Sequence, residues 1–282
     1  MNKKTPKMFA VLPTLLTLGN AACGFGAITF AAKVGPAAVG GNELFIAGGL
    51  IFLGMVCDML DGSVARAIKQ ESEFGAQLDS LCDAITFGVA PAFLMIQFTL
   101  HNYIKEDQYK ALFQYHPRLL WVIAVLFALC ALLRLARFNV ETDEEDSHEG
   151  FSGLPSPAAA GAVASFPIAM GGLYEMASNT DATGQKIAAW LIPVVITLLP
   201  LITLGVAMLM VSRISYTHVF SQLLQGNRSR KHFIQLVFTL AVVFVVQEMA
   251  VPLIFCYFAF AAPIIRLWEK LKSGVVYKSS HV

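Results

Sequence analysis

The chain has 282 residues, of which 56% are hydrophobic and only 14% are charged, and its formal net charge is +1. A typical soluble domain has about 25% charged residues, so this composition argues against an ordinary soluble enzyme. The nearly neutral charge and the lack of a basic tract also give no indication of nucleic-acid binding. The five cysteines do not have the paired spacing of a zinc site or of a disulfide framework.

Apolar segments of about 20 residues recur along the chain, which is typical of membrane-spanning helices. We predict an all-α polytopic bundle in the membrane. Its eight predicted spans are residues 12–33, 43–67, 79–100, 118–138, 156–176, 188–211, 233–248 and 250–268. The first six spans belong to a predicted catalytic domain, residues 1–216. The last two belong to a C-terminal extension with a cytoplasmic tail, residues 217–282.

Lysine and arginine are distributed unevenly between the two ends of these spans. Fifteen of them lie on the side that holds both termini, and five lie on the opposite side. Because cytoplasmic loops are enriched in lysine and arginine, we expect both termini to be cytoplasmic and the protein to be integral to the cell membrane. The same assignment places residues 58–83 at the cytoplasmic ends of the second and third spans.

Four aspartates interrupt the apolar pattern within the stretch DMLDGSVARAIKQESEFGAQLDSLCD, residues 58–83. Asp58 and Asp61 share one helix face, and Asp79 and Asp83 share a face of the next helix. Two antiparallel neighbouring helices would bring all four carboxylates together. Clustered carboxylates repel one another unless a cation neutralises them, and their oxygens suit Mg²⁺ or Mn²⁺. Paired divalent cations at such a site are typical of phosphoryl chemistry.

The helix face of Asp58 also carries residues that suit a phosphate ligand. Gly62 and Ala65 have almost no side chain, so a bulky ligand can approach the helix backbone. Arg66, at the edge of this face, offers a guanidinium fork for a phosphate.

Other interpretations of the aspartates stay open from the residues alone. A cation or proton transporter would also place carboxylates in the membrane. Transporters, however, favour acidic residues spread through the depth of the bilayer, or broken helices in repeated halves. A purely structural role, or a position in the aqueous interface, would need no cation. The clustering at one end of two spans favours the metal site over these alternatives.

The spacing Asp58-x-x-Asp61-Gly62-x-x-Ala65-Arg66, followed after eight residues by Gly75-x-x-x-Asp79-x-x-x-Asp83, resembles the signature of the CDP-alcohol phosphotransferase family. Members of this family are integral membrane enzymes. They join an alcohol to the phosphate of a CDP-linked lipid or alcohol and release CMP.

The resemblance implies a role for each matched position. Two divalent cations, Mg²⁺ or Mn²⁺, would be bridged by Asp58 and Asp79, with Asp61 on the first cation and Asp83 on the second. Asp83 would also act as the general base. The resemblance further implies a set of contacts with the CDP-lipid, for which the candidates are Gly62, Ala65, Arg66, Ser72, Gly75 and, near the first span, Asn20.

Four further stretches concern the acceptor alcohol, namely DSLCDAITFGVAPA (79–92), RLARFN (134–139), FSGLPSPAAA (151–160) and LMVSRISY (209–216). They are similar to the membrane-embedded family members that use CDP-diacylglycerol and L-serine as substrates. On this resemblance Arg134, Arg137 and Asn139 are candidates for binding serine or a phosphate. The two arginines, three residues apart on one helix face, would alternatively serve as anchors in the membrane interface.

Acceptors such as glycerol 3-phosphate or inositol phosphate also stay open, although their phosphate would need more basic residues around the pocket. The family resemblance also implies a homodimer.

Overall fold

The structure is a computed structural model that describes residues 12–34, 42–68, 72–105, 111–143, 153–179, 181–214, 216 and 249–279. Within these ranges the regular elements are helical, which confirms the predicted all-α class. The helices are α1 (Leu12–Ala32), α2 (Glu43–Ile68), α3 (Glu73–Asp83), α4 (Ala90–Lys105), α5 (Pro117–Asp143), α6 (Ser156–Ser178), α7 (Ala182–Val211) and α8 (Ala250–Ser279), and a π-helical segment, Ala84–Val89, joins α3 to α4.

Six segments of the described ranges are long and apolar enough to cross a membrane. They are Leu12–Ala32, Glu43–Ala67, Glu73–Tyr103, Pro117–Val140, Ser156–Ser178 and Ala182–Val211, and they correspond to the first six predicted spans. The predicted total of eight is not confirmed. The seventh predicted span, 233–248, lies outside the described residues, and the eighth falls on α8, whose apolar part, Ala250–Arg266, is shorter than a full span.

The third span starts at Glu73 instead of at residue 79, because its first turn is capped. The hydroxyl of Ser72 accepts a hydrogen bond from the backbone N–H of Gly75 at 3.0 Å. Such an N-cap satisfies one of the free N–H groups at a helix start. Residues 73–78, which hydropathy excludes from the predicted span, are therefore helical. The helix continues without a break into the π-helical segment.

The helices pack as a bundle in which α1 lies along α2, α6 contacts both α2 and α7, and α7 contacts α5. Helix α8 packs mainly on α6. Phe87, Phe98 and Phe127 are fully buried between the helices, whereas Trp121 and Trp190 are largely exposed on the outside. Outward apolar side chains are expected where lipid is the solvent.

The loop before α6 is tied to the end of α7 by two backbone hydrogen bonds. Gly153 N–H donates to Ile214 O at 2.8 Å, and Leu154 N–H donates to Leu209 O at 3.1 Å. Gly153 has a φ of 92°, in the left-handed region that favours glycine. A Cβ at this position would collide with the carbonyl oxygen of Met210. These two hydrogen bonds fix where α6 begins.

We expect Gly153→Ala to lower the free energy of unfolding by about 1–3 kcal/mol. Alanine is strained in the left-handed backbone conformation, and its Cβ would also collide with the carbonyl oxygen of Met210. Thermal unfolding of the purified protein in detergent measures this loss. Gly171→Ala is the matched control, since nothing lies within 4 Å of a Cβ added at Gly171 in α6. The control should keep or slightly raise stability. A loss of stability in Gly153→Ala that is no larger than in the control would contradict the proposed role of Gly153 in linking this loop to α7.

Candidate active site

The four predicted aspartates lie at one end of the bundle. Asp58 and Asp61 lie near the end of α2, and Asp79 and Asp83 lie in the second half of α3. Because these helices belong to consecutive spans that cross the membrane in opposite directions, both pairs come to the same side.

Three of the four carboxylates converge. Asp58, Asp61 and Asp79 each offer one oxygen, and these oxygens lie within 4.8 Å of one another. Within the described part of the chain, Asp61 Oδ2 and Asp79 Oδ1 are buried without a hydrogen-bond partner. An ionised carboxylate can only accept hydrogen bonds, so buried and unpaired carboxylate oxygens are unfavourable until a cation binds them. The three side chains therefore fit a hard divalent cation, for which oxygen ligands are preferred.

Asp83 lies beside this group but is not part of it. Its side chain is buried, with 8% of its surface exposed, and its Oδ1 accepts a hydrogen bond from Asn20 Nδ2 at 2.8 Å. It is close enough to Asp58 and Asp79 for their charges to interact. The structure thus brings three of the four predicted ligands together and holds the fourth next to them through a different partner.

The candidates for CDP-lipid binding on α2 follow the carboxylates toward the helix end. Arg66 is exposed, and its Nη1 would lie 3.4 Å from a Cβ added at Gly62. The guanidinium therefore covers the glycine, and Ala65 is half-buried next to it. These positions agree with the helix face that the sequence predicts. Contact with a nucleotide stays a proposal for all three.

The candidates Ser72 and Gly75 contact each other through the cap of α3. This contact gives both residues a structural role, because it begins the helix that carries Asp79 and Asp83. A Cβ at Gly75 would lie 3.0 Å from Ser72 Oγ, so a larger residue at position 75 would press on the cap.

Asn20, the CDP-lipid candidate on α1, contacts one of the four aspartates inside the bundle. It is completely buried, and its amide donates to Asp83. The hydroxyl of Thr86, in the π-helical segment, donates to the backbone carbonyl of Asn20 at 2.8 Å. Thr17, one turn before Asn20 on α1, lies near the Asp61 carboxylate, and its hydroxyl donates to the backbone carbonyl of Pro13 at 3.0 Å. Sequence reasoning missed both threonines, although the i, i+3 spacing of Thr17 and Asn20 on an apolar helix is a signal that could have found the first.

The acceptor candidates on α5 differ in their surroundings. Arg134 is half-buried, its Nη1 donates to Ser156 Oγ at 3.1 Å, and its Nε is buried without a hydrogen-bond partner among the described residues. The guanidinium also interacts electrostatically with Asp83. Its positive charge therefore lies close enough to Asp83 to interact with the aspartate site.

The other two acceptor candidates lie farther along the same helix. Arg137 is exposed, in contrast to Arg134. Asn139 is half-buried, and its Oδ1 accepts a hydrogen bond from Ser80 Oγ at 3.1 Å, which links α5 to α3. The i, i+3 spacing predicts that Arg134 and Arg137 share one helix face. In the structure Arg134 is half-buried, whereas Arg137 is exposed.

Comparison with known proteins gives the family of the chain. The model of the CDP-alcohol phosphatidyltransferase family matches residues 10–201, which is more than half of the chain. The chain belongs to the CDP-alcohol phosphatidyltransferase family. The matched range contains α1 to α6, most of α7 and all four aspartates of the site.

Several curated proteins are similar to this chain, and the following three are each named CDP-diacylglycerol–serine O-phosphatidyltransferase. The Mycobacterium bovis protein is 35% identical over 154 residues, which are 53% of this chain and 46% of the relative. The Mycobacterium leprae protein is 32% identical over 208 residues, 72% of this chain and 57% of the relative. The Methanocaldococcus jannaschii protein is 41% identical over 111 residues, 39% of this chain and 45% of the relative. The chain thus spans about half the length of these relatives.

Proposed function

We propose that this protein transfers the phosphatidyl group from CDP-diacylglycerol to L-serine, giving phosphatidylserine and CMP. The observation that carries the proposal is the convergence of Asp58, Asp61 and Asp79, with buried unpaired oxygens, in a member of this family. The name shared by the relatives, together with the stretches RLARFN and FSGLPSPAAA, supports serine as the acceptor.

Two divalent cations, Mg²⁺ or Mn²⁺, are the proposed cofactors; when bound, they supply positive charge next to the diphosphate and the departing CMP. Asp58, Asp61 and Asp79 would hold the first, and Asp83 together with Asp58 and Asp79 would hold the second. The exposed guanidinium of Arg66, above Gly62, would bind a phosphate of the CDP-lipid.

The proposed reaction is a single displacement at phosphorus. The serine hydroxyl loses its proton to Asp83. The serine oxygen forms a bond to the phosphorus that bears diacylglycerol, and the bond from this phosphorus to the oxygen of CMP breaks. The electron pair of the broken bond leaves with CMP, so atoms and charge balance without a further reactant.

Arg134 is the proposed partner of the serine carboxylate. Its buried Nε–H has no partner in the described residues, and the carboxylate would supply one. Arg137 and Asn139 complete the proposed acceptor set. The closeness of Arg134 to Asp83 would place the serine hydroxyl beside the base.

We expect Arg134→Lys to raise the KM for serine about tenfold or more, because lysine cannot reproduce the guanidinium fork and a hydrogen bond between charged groups is lost. The KM for CDP-diacylglycerol should change much less. Initial rates at varied serine concentrations measure the effect. Arg118→Lys, at the opposite end of the same helix, is the matched control. An unchanged KM for serine in Arg134→Lys would remove Arg134 from the acceptor site.

We propose that residues 1–216 carry the activity, in keeping with the family match, while residues 217–282 form the extension that includes α8. The excess of lysine and arginine on the side of the aspartates supports an active site, and both termini, in the cytoplasm. A homodimer in the cell membrane follows from the family resemblance.

The test is an assay of CMP release by the purified protein in detergent with CDP-diacylglycerol and Mg²⁺ or Mn²⁺. We expect release only when L-serine is added. Release with glycerol 3-phosphate or inositol phosphate instead would reassign the acceptor within the family. The absence of release with every alcohol would refute the proposed transfer and favour a transporter.

A further inference from the structure

The contact between Asn20 and Asp83 joins α1 to the end of α3 inside the bundle. Asn20 has no exposed surface, and its Nδ2 donates to Asp83 Oδ1 at 2.8 Å. The amide oxygen of Asn20, Oδ1, is buried and has no hydrogen-bond partner in the described part of the chain. An asparagine kept for stability alone would be expected to use both ends of its amide, because an unpaired buried acceptor is costly.

The orientation of the Asn20 amide follows from the charge of Asp83. If the amide were flipped, its oxygen would face an oxygen of the ionised carboxylate, and both groups would be acceptors. Only the Nδ2 side can meet the anion favourably. When the N–H group is directed at Asp83, the Oδ1 of Asn20 is left without a hydrogen-bond partner in the described residues.

The backbone of Asn20 is fixed by Thr86. The Thr86 hydroxyl donates to Asn20 O at 2.8 Å, whereas the hydroxyls of the equally buried Thr99 and Thr203 donate to carbonyls of their own helices. Thr86 lies in the π-helical segment directly after Asp83, where Ala90 N–H donates to Ile85 O. Such segments are frequent at functional sites.

Two glycines allow Thr86 to reach this position. A Cβ at Gly24 of α1 would lie 2.5 Å from Thr86 Oγ1 and 2.8 Å from Thr86 Cα. A Cβ at Gly54 of α2 would lie 2.5 Å from Thr86 Cγ2 and 3.0 Å from Asn20 Oδ1. Thr86 is therefore enclosed between α1 and α2, and the three elements cannot slide past one another without breaking these contacts.

We infer that Asn20, fixed by Thr86, is a positioning residue that binds Oδ1 of Asp83 and leaves Oδ2 to receive the proton of the attacking hydroxyl. This inference rests on the proposed function, in which Asp83 is the base. It assigns Asn20 to the base and not to the nucleotide. In the proton transfer, the O–H bond of the alcohol breaks and an O–H bond forms at Asp83 Oδ2.

The test compares steady-state kinetics of Asn20→Ala and the wild type. We expect kcat to fall about 10- to 100-fold, as for the loss of a hydrogen bond to a charged group, with both KM values within about twofold. Thr86→Val, which keeps the shape of the side chain and loses the hydroxyl, should lower kcat in the same direction, and Thr86→Ser should recover most of the loss. These two variants also test the inference if Asn20→Ala fails to insert.

Matched controls separate positioning from stability. Asn102 and Thr99 are buried polar residues of α4 that lie away from the aspartates. Asn102→Ala and Thr99→Val should lower the melting temperature by a comparable amount and leave kcat unchanged. Binding of the first Mn²⁺, followed by the loss of the free Mn²⁺ signal in electron paramagnetic resonance at one equivalent of the ion, should be the same in Asn20→Ala and in the wild type. The proposed first cation site is formed by Asp58, Asp61 and Asp79, whereas Asn20 binds Asp83.

The inference is overturned by several results. The first is a wild-type kcat in Asn20→Ala or in Thr86→Val. The second is a weaker affinity for the first Mn²⁺, which would place Asn20 at the site of Asp58, Asp61 and Asp79. A raised KM for CDP-diacylglycerol alone would also overturn it, because Asn20 would then bind the nucleotide. If the wild type shows no serine-dependent release of CMP, the proposed function fails and the inference fails with it.

Discussion

Asp83→Asn is expected to fold and insert normally but to lose turnover by about 10²- to 10⁴-fold, the usual contribution of a general base. An amide cannot take the hydroxyl proton, yet it has nearly the shape of the carboxylate. Its oxygen can still accept the hydrogen bond from Asn20, so the packing of α1 against α3 should be preserved. Initial rates of CMP release, normalised to the amount of folded protein, measure the loss.

The matched control for Asp83→Asn is Asp181→Asn. Asp181 caps α7, where its carboxylate accepts hydrogen bonds from Thr183 N and Gly184 N. Asparagine is an equally good cap, so this exchange of carboxylate for amide should leave both stability and turnover close to the wild type. Turnover in Asp83→Asn that equals that of the control would remove Asp83 as the base.

Withdrawal of divalent cations is expected to abolish turnover and to lower thermal stability. Without a cation, the buried Asp61 and the half-buried Asp58 and Asp79 hold like charges, and one oxygen of each lies within 4.8 Å of the others. Since a ligand that binds only the folded state stabilises it, Mg²⁺ or Mn²⁺ should raise the melting temperature with concentration. Activity after EDTA treatment, and after the return of each cation, tests the first effect; a thermal melt tests the second.

The controls for cation withdrawal use the same reagents. EDTA saturated beforehand with Mg²⁺ should have no effect on the wild type. Asp79→Asn should lose most of the rise in melting temperature that Mn²⁺ causes in the wild type. Full turnover in excess EDTA, or an equal rise in Asp79→Asn and the wild type, would contradict a metal site at these carboxylates.

The sequence predicts the large features of this site because they depend on local pattern. Hydropathy alone locates the first six spans, and the helical period places Asp58 with Asp61 and Asp79 with Asp83. Antiparallel consecutive spans then bring the two pairs to one membrane side. None of these steps needs knowledge of how side chains pack.

The finer arrangement depends on contacts between distant parts of the chain. The pairing of Asn20 with Asp83 crosses 63 positions, and that of Thr86 with Asn20 crosses 66. No periodicity reveals such contacts. The π-helical segment after Asp83 is also invisible to a pattern with a 3.6-residue period, because it changes the register by less than one turn. For this reason the helical pattern of the sequence brings all four carboxylates together, whereas the structure places Asp83 beside the other three.

We propose that the carboxylates of Asp58, Asp61 and Asp79 hold a divalent cation where α2 and α3 meet. Anomalous diffraction from crystals grown with Mn²⁺ and CDP-diacylglycerol tests it most directly. We predict a manganese peak bonded to oxygens of all three side chains, and no such peak in Asp79→Asn crystals. An anomalous map with no peak at these carboxylates, from crystals in which the CDP group is visible, would contradict the claim.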